Sequence, residues 1–346
     1  MLRNCFTAIV GGIVLLCFFC SNSIAQTEPE SSYIANLNDT RFKDVVEDMT
    51  SPTLEKSTLK PVPPMIGIVN EGSGYSISLI RVQWRRADPI DLWLMKPTGV
   101  KKPPVIIYLN GFPTDTDFFK DPSFQQLSTQ GGFAAVGFVT ALTGHRYHDI
   151  GLNKWFVSEL QQSLAESAHD VQMVLNYLAS RGDLDMDRVG LFGQFSGATV
   201  GVLAAAADPR IKVLDALDPW GDWPTWMGKS PFVPDKERPN FIKPEFLSKA
   251  AALELLDWMP KVQSKKFRLL QRTYEGETPL ESKMKLQAAV PAGATTVLYK
   301  TSDEFNKANA EHAEKALHWI KSALQSLPPA EAVPAAGSAV AEKKSN

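Results

Sequence analysis

The chain has 346 residues, 44% of them apolar, with 36 Lys and Arg set against 38 Asp and Glu. That balance excludes both the basic footprint of a nucleic-acid binder and the polybasic patch that holds a protein on an anionic membrane. The length suits one large domain with a full core.

The first residues read as an export signal. Arg3 supplies the positive charge, Phe6 to Phe19 is an apolar stretch too short to span a bilayer, and Ser23-Ile24-Ala25 offers small residues for cleavage. Residues 1–25 are therefore expected to form a signal peptide, and the mature chain to begin near Gln26. Its destination would be secreted or periplasmic, with no stable membrane anchor after cleavage. A lipoprotein would be processed at Cys20, but Phe19 is bulky where that site wants a small residue. Cys5, Cys17 and Cys20 all fall inside the signal, which removes disulfides, thiol nucleophiles and Cys-ligated metals from the mature chain.

Residues 26–73 are polar and proline-dotted at first, without a sustained period, and are expected to form an arm lying on the domain. Ser76 to Trp84 and Ile90 to Met95 are antiparallel strand candidates about the turn Ala87-Asp88-Pro89. Pro104 to Leu109 is a continuous apolar run of the kind found in a buried central strand, ending at Asn110-Gly111. Phe133 to Val139 follows as a strand, then a long amphipathic helix carrying Leu160, Leu164, Ala168, Val171, Leu175 and Leu178. Val189 to Phe192 is a short buried strand running at once into a helix of small residues. Val213 to Leu217, Phe267 to Leu270 and Thr296 to Tyr299 add three strands, and a helix from Phe305 to Leu324 closes the domain. Alternation of this kind predicts a mostly parallel sheet of eight strands with helices on both faces. Residues 219–262 form a small lid dense in aromatics, among them Trp220, Trp223, Trp226 and Phe232. These supply either an apolar wall for a ligand or the core of the lid itself. The tail, 328–346, is rich in Ala and Pro and is expected to be disordered.

The segment Asp187-Arg-Val-Gly-Leu-Phe-Gly-Gln-Phe-Ser-Gly-Ala198 resembles the strand, sharp turn and helix that hold the nucleophile in α/β-hydrolases, particularly the dienelactone-hydrolase and prolyl-oligopeptidase-like branch. The likeness covers about Gly74 to Leu324, within a domain placed at 74–327, since element order, the Asn110-Gly111 turn and the closing helix also fit. It implies the α/β-hydrolase fold and a hydrolase of ester or amide bonds. In that family the turn reads small-x-nucleophile-x-small, because larger flanking side chains would collide where the strand bends. Gly193 and Gly197 fit the flanks, and Phe195 stands midway between them. Ser196 comes one residue late, flanked by the bulky Gln194.

The rest of the triad is equally irregular. The family's base is a histidine after the last strand, where this chain reads Lys300-Thr-Ser-Asp-Glu-Phe305. His312 lies about two turns into the closing helix, on the inward stripe of a core residue, and His318 on its solvent side. The family's acid follows the penultimate strand, where Glu275 and Glu277 stand. Asp218 and Asp222 follow the strand before, as an alternative acid or as turn formers capping a lid helix. His145 and His148 follow the fourth strand and face the crevice, either as a base or as part of a polar loop; with Asp149 they are too few for a metal site.

Two functions remain open. One is an exported hydrolase in which Ser196 attacks, His145 or His148 is the base, Asp218 or Glu277 the acid, and the N–H groups of Phe112 and Gly197 form the oxyanion hole. The other is a catalytically inactive descendant that keeps the crevice for a ligand or partner, with Ser196 as a helix cap. Either takes a small-molecule, ester or peptide ligand. Neither needs a cofactor or metal.

Overall fold

The computed structural model describes residues 40–112, 117–143, 159–309 and 313–328. The signal and tail segments, and His145, His148 and His312, lie outside the described residues.

Nine strands form one sheet in the order β1-β2-β3-β5-β4-β6-β7-β8-β9. They are β1 (Met65–Gly72), β2 (Tyr75–Arg85), β3 (Asp88–Pro97), β4 (Pro104–Leu109), β5 (Ala134–Gly137), β6 (Asp185–Gln194), β7 (Ile211–Leu217), β8 (Lys266–Arg272) and β9 (Thr295–Tyr299). β1, β2 and β3 run antiparallel, β3 pairs antiparallel with β5, and the remaining pairs are parallel. The sheet is thus mostly parallel, as its apolar runs predict, with one strand more than the eight expected. The additional strand is β1, which lies within the segment read as an arm. All eight of its residues are exposed, and a bulge between Ile66 and Ile68 breaks the alternation that would mark a strand in the sequence.

The buried central strand β4 sends alternate side chains to two cores. Val105, Ile107 and Leu109 join α2 (Leu160–Arg181) and α3 (Ser196–Ala207), whereas Ile106 and Tyr108 join α10 (Ala313–Gln325). The other α-helices among the described residues are α1 (Pro122–Thr129), the lid helices α4 (Trp223–Lys229), α5 (Arg238–Phe241), α6 (Pro244–Ala250) and α7 (Leu255–Trp258), then α8 (Leu280–Ala289) and α9 (Ser302–Asn309). In the lid, Trp220, Trp223 and Trp226 are buried and pack on one another, with Trp220 and Trp226 rings 5.0 Å apart and Phe232 5.2 Å from Trp220. These aromatics are continuous with the core that takes Val105, Ile107 and Leu109, so they extend the main core rather than forming one of their own. Asp222 occupies the N-cap position of α4, but its carboxylate binds Ser282 and Lys285, and Glu254 caps the backbone N–H groups of Asp222 and Trp223 at 2.8 Å each. Among the described residues, no helix is long and apolar enough to cross a membrane.

Residues 40–64 are held to the domain by buried charge. Glu47 takes two hydrogen bonds from Arg85, at 2.5 and 2.6 Å, and one from the fully buried His169 at 2.7 Å, while Arg85 also reaches Asp170 at 2.5 Å. The other His169 ring nitrogen meets the Ser51 carbonyl at 2.9 Å, and Gln172 donates to the Pro52 carbonyl. Burial opposes the Glu47 charge, but its bonds to Arg85 and His169 outweigh that and hold its carboxyl below the usual range. The stabilisation from Glu47 is therefore full above the ordinary carboxylate pKa and lost as pH falls through the depressed value. Glu47→Gln should cost about 1–3 kcal/mol at neutral pH, since it removes one of the charged acceptors of the buried Arg85 while Asp170 and Asp88 remain. It should also flatten the acid limb of a melting-temperature profile and speed proteolysis within residues 40–64. An unchanged acid limb would show that the contact contributes nothing.

Candidate functional site

β6 runs to the carboxyl edge of the sheet and turns into α3 at a single residue. That residue is Phe195, with φ 52° and ψ −121°. Its N–H donates to the Leu217 carbonyl at 2.8 Å, continuing the pairing with β7, while its carbonyl accepts the first helical bond, from Thr199 N at 3.0 Å. One residue thus belongs to strand and helix at once, and the bend leaves no room beside it. A Cβ on Gly193 would lie 2.6 Å from the Gly197 carbonyl oxygen, and one on Gly197 would strike the Leu109 carbonyl. The backbone is that of a nucleophile elbow with phenylalanine at its apex. A non-glycine residue in such a conformation costs on the order of 1–3 kcal/mol, which surrounding structure must offset.

The half-buried Phe195 ring is covered by the guanidinium of Arg272, 5.0 Å from its centroid. Arg272 ends β8 and is only 1% exposed. Its Nε donates to Asp218 Oδ2 at 2.6 Å and its backbone N–H to Asp218 Oδ1 at 2.8 Å. A second ring, Phe305 on α9, lies 5.2 Å from the same guanidinium, and Tyr274 lies 6.0 Å away. Burial works against the Arg272 charge, and the adjoining Asp218 carboxylate more than offsets it, leaving the pKa raised. Asp218 follows β7 with φ 48°, a left-handed conformation that brings its carboxylate back toward the neighbouring strand. Lys283 on α8 reaches Asp218 at 3.6 Å and donates to the Arg272 and Glu275 carbonyls.

Ser196, one step past the apex, is fully buried at the start of α3. Its Oγ accepts from the Phe112 N–H at 2.8 Å. The donor expected to face an oxyanion is therefore engaged by the serine itself. Gly197, the other expected donor, sits in the first turn of α3. Among the described residues, no histidine or carboxylate hydrogen-bonds Ser196. Asp218 is engaged by Arg272, and Glu275 makes a long contact, 3.4 Å, with Arg272 Nη1. Glu277 is partly buried in the loop after β8, and burial pushes its pKa up to about 7; Arg272 and Lys283 oppose that rise while Glu275 and Asp218 add to it. Where a base would follow β9, Thr301 Oγ1 accepts from Glu304 N at 3.1 Å and Glu304 accepts from Lys300 N at 2.6 Å. Thr301 thus caps α9, and Glu304 reaches back to the residue before the cap. His318 is exposed, as its place on the helix predicts. Among the described residues, no cluster of His, Cys, Asp and Glu could hold a metal ion.

The sequence reading passed over two residues. Arg272 announces itself only as a charge closing a buried strand, at the edge where such sheets place ligands. His169 lies in a helix whose periodicity gives no hint that Glu47 reaches it across the sequence.

Asp218→Asn should strand the Arg272 charge and lower stability by about 3–5 kcal/mol in urea unfolding, whereas combining it with Arg272→Met should recover part of that loss. Additive losses would show that the two side chains do not act as a pair.

Among solved structures, the chain is similar to an acetyl xylan esterase from Paenibacillus sp. R4, with TM-score 0.60 and 15% identity over 76% of this chain and 89% of that one. It is also similar to acetyl xylan esterase 1 from Thermoanaerobacterium sp. JW/SL YS485, with TM-score 0.58 and 14% identity over 76% and 89% of the two chains. A cold-adapted esterase from an Arctic intertidal metagenomic library gives TM-score 0.51 and 11% identity over 75% and 99%. No protein-family model matches the chain, and no curated protein matches it. At such identities the likeness carries the fold and not the activity.

Proposed function

We propose that this chain, which has the α/β-hydrolase fold, does not hydrolyse esters or amides. On this reading it is an exported protein that keeps the hydrolase crevice to bind a small-molecule, ester or peptide ligand. The observation that carries the reading is Phe195. It holds the strained apex conformation in which a nucleophile would be presented, and its ring lies against Arg272. A phenyl ring offers no nucleophile, and the neighbouring hydroxyl is buried against Phe112 N. Two further features support it. The loop after β9 is committed to capping α9, and the carboxylate after β7 is committed to Arg272. Loss of a general base alone typically forfeits a factor of about 10²–10⁴ in rate.

The alternative, Ser196 as a shifted nucleophile with His145 or His148 as base and Asp218 or Glu277 as acid, requires the Phe112 bond to open and Ser196 to leave its buried position. The two readings separate in a p-nitrophenyl ester assay of wild type, Ser196→Ala, Phe195→Ser, and Phe195→Ser with Asp303→His. Asp303 is the better site for a new base, since replacing Glu304 would also remove the acceptor of the Lys300 N–H. Wild type and Ser196→Ala are expected to match at background, with any turnover confined to the double variant. Wild-type turnover that disappears in Ser196→Ala would overturn the proposal.

A further inference from the structure

Arg272 is 1% exposed and has three nitrogens able to donate from its guanidinium. Nε is paired with Asp218 and Nη1 reaches Glu275, but Nη2 is buried with no hydrogen-bond partner. A buried donor left unmatched is costly, and more so on a charged group, so an orphan here is a standing demand for an acceptor. The guanidinium is rigid, because Asp218 grips it on one edge while Phe195 and Phe305 lie 5.0 and 5.2 Å from it. A third ring, that of Tyr274, lies 6.0 Å away and is itself 37% exposed. Of the three rings about the cation it is the most exposed, Phe195 being half-buried and Phe305 buried.

A second unmatched group lies in the same loop. The Glu277 side chain makes no hydrogen bond among the described residues. Around it stand Arg272 at the end of β8, Asp218 after β7, Glu275 in its own loop and Lys283 on α8. Two cations and two carboxylates there offset one another, so an incoming anion is tolerated best while Glu277 holds its proton. Beyond the apex, Phe112 faces Phe232 of the lid with ring centroids 6.0 Å apart, and Phe232 meets Trp220. The surroundings of the apex are aromatic.

We propose that the crevice at Phe195 binds a monocarboxylate with an apolar or aromatic body, its carboxylate taken by Arg272 Nη2 once Tyr274 swings aside and its body resting on the aromatic rings about the apex. This deepens the reading of the crevice as a binding site and rests on it. A carboxylate is preferred over a neutral carbonyl because it adds the attraction of an opposite charge, in a site screened from water, to a bond that the guanidinium already strengthens. With the Glu277 carboxyl pushed up to about 7 by burial, occupancy should fall as pH rises through neutrality.

The test is calorimetric titration of the wild-type protein with benzoate and with benzamide, its neutral isostere, at pH 6 and pH 8.5. Benzoate is expected to bind at least about tenfold more tightly than benzamide, and to weaken by about fivefold or more at the higher pH. Glu277→Gln should keep the binding seen at pH 6 and abolish its pH dependence. Arg272→Lys, which keeps the charge but loses the planar fork, should lose the preference for benzoate if it folds. Equal affinity for benzoate and benzamide, no saturable binding to about 10 mM, or wild-type binding indifferent to pH would each overturn the proposal, without recourse to a variant that must fold. Ester turnover would instead sink the non-catalytic reading. Absence of benzoate binding in a protein that also lacks turnover would leave that reading standing and remove only this one.

Discussion

The Asp218 carboxylate and the Arg272 guanidinium meet at the carboxyl ends of two adjacent parallel strands, 2.6 Å apart and each 2% exposed in its side chain. Much of the packing about the apex depends on that pair. It fixes a planar cation against the Phe195 ring, and so supplies packing at a backbone position whose conformation would otherwise go uncompensated. The same carboxylate takes the Arg272 backbone N–H and draws in Lys283, which binds the loop carrying Glu275 and Glu277 to the end of β8. Asp218 itself sits at positive φ, so the geometry of the pair is set by the β7 turn rather than by side-chain choice alone.

In a hydrolase of this fold, strain at the elbow is balanced by the use made of it, because an exposed nucleophile must be presented on a tight turn. Here the turn persists while the groups that would exploit it are engaged elsewhere. Phe112 N–H bonds the Ser196 hydroxyl rather than facing the crevice, Thr301 caps a helix while Glu304 takes the Lys300 N–H, and Asp218 balances an arginine. Each polar group has a partner within the fold, and on the proposed reading those partnerships are what keep it from serving hydrolysis. Arg272 Nη2 stands outside this pattern, and Glu277 with it.

The elements that pack on a core were legible in the sequence because burial leaves a period. β4 reads as a continuous apolar run since both its faces are covered, and α2 shows its inward stripe. The elbow was legible for a steric reason: glycines at 193 and 197 are demanded by the bend, and Phe195 stands between them whatever its chemistry. β1 was not, because it buries nothing and its apolar residues straddle a bulge. The Arg272 cluster was hidden more deeply. It depends on the register of β7 against β8, on the backbone sign at Asp218 and on a helix that returns Lys283 to the same point. None of these leaves a local pattern. The hold of Glu47 on Arg85 and His169 escaped for the same reason, being a contact between residues far apart in the chain.

The central claim is that the elbow presents no activated nucleophile. Intact-mass measurement of the wild-type protein after prolonged exposure to a fluorophosphonate tests it directly, because the reagent requires an activated serine and no knowledge of substrate. The account predicts an unchanged mass. A stoichiometric adduct mapped to Ser196 would contradict it and establish that the serine beside the apex is the nucleophile.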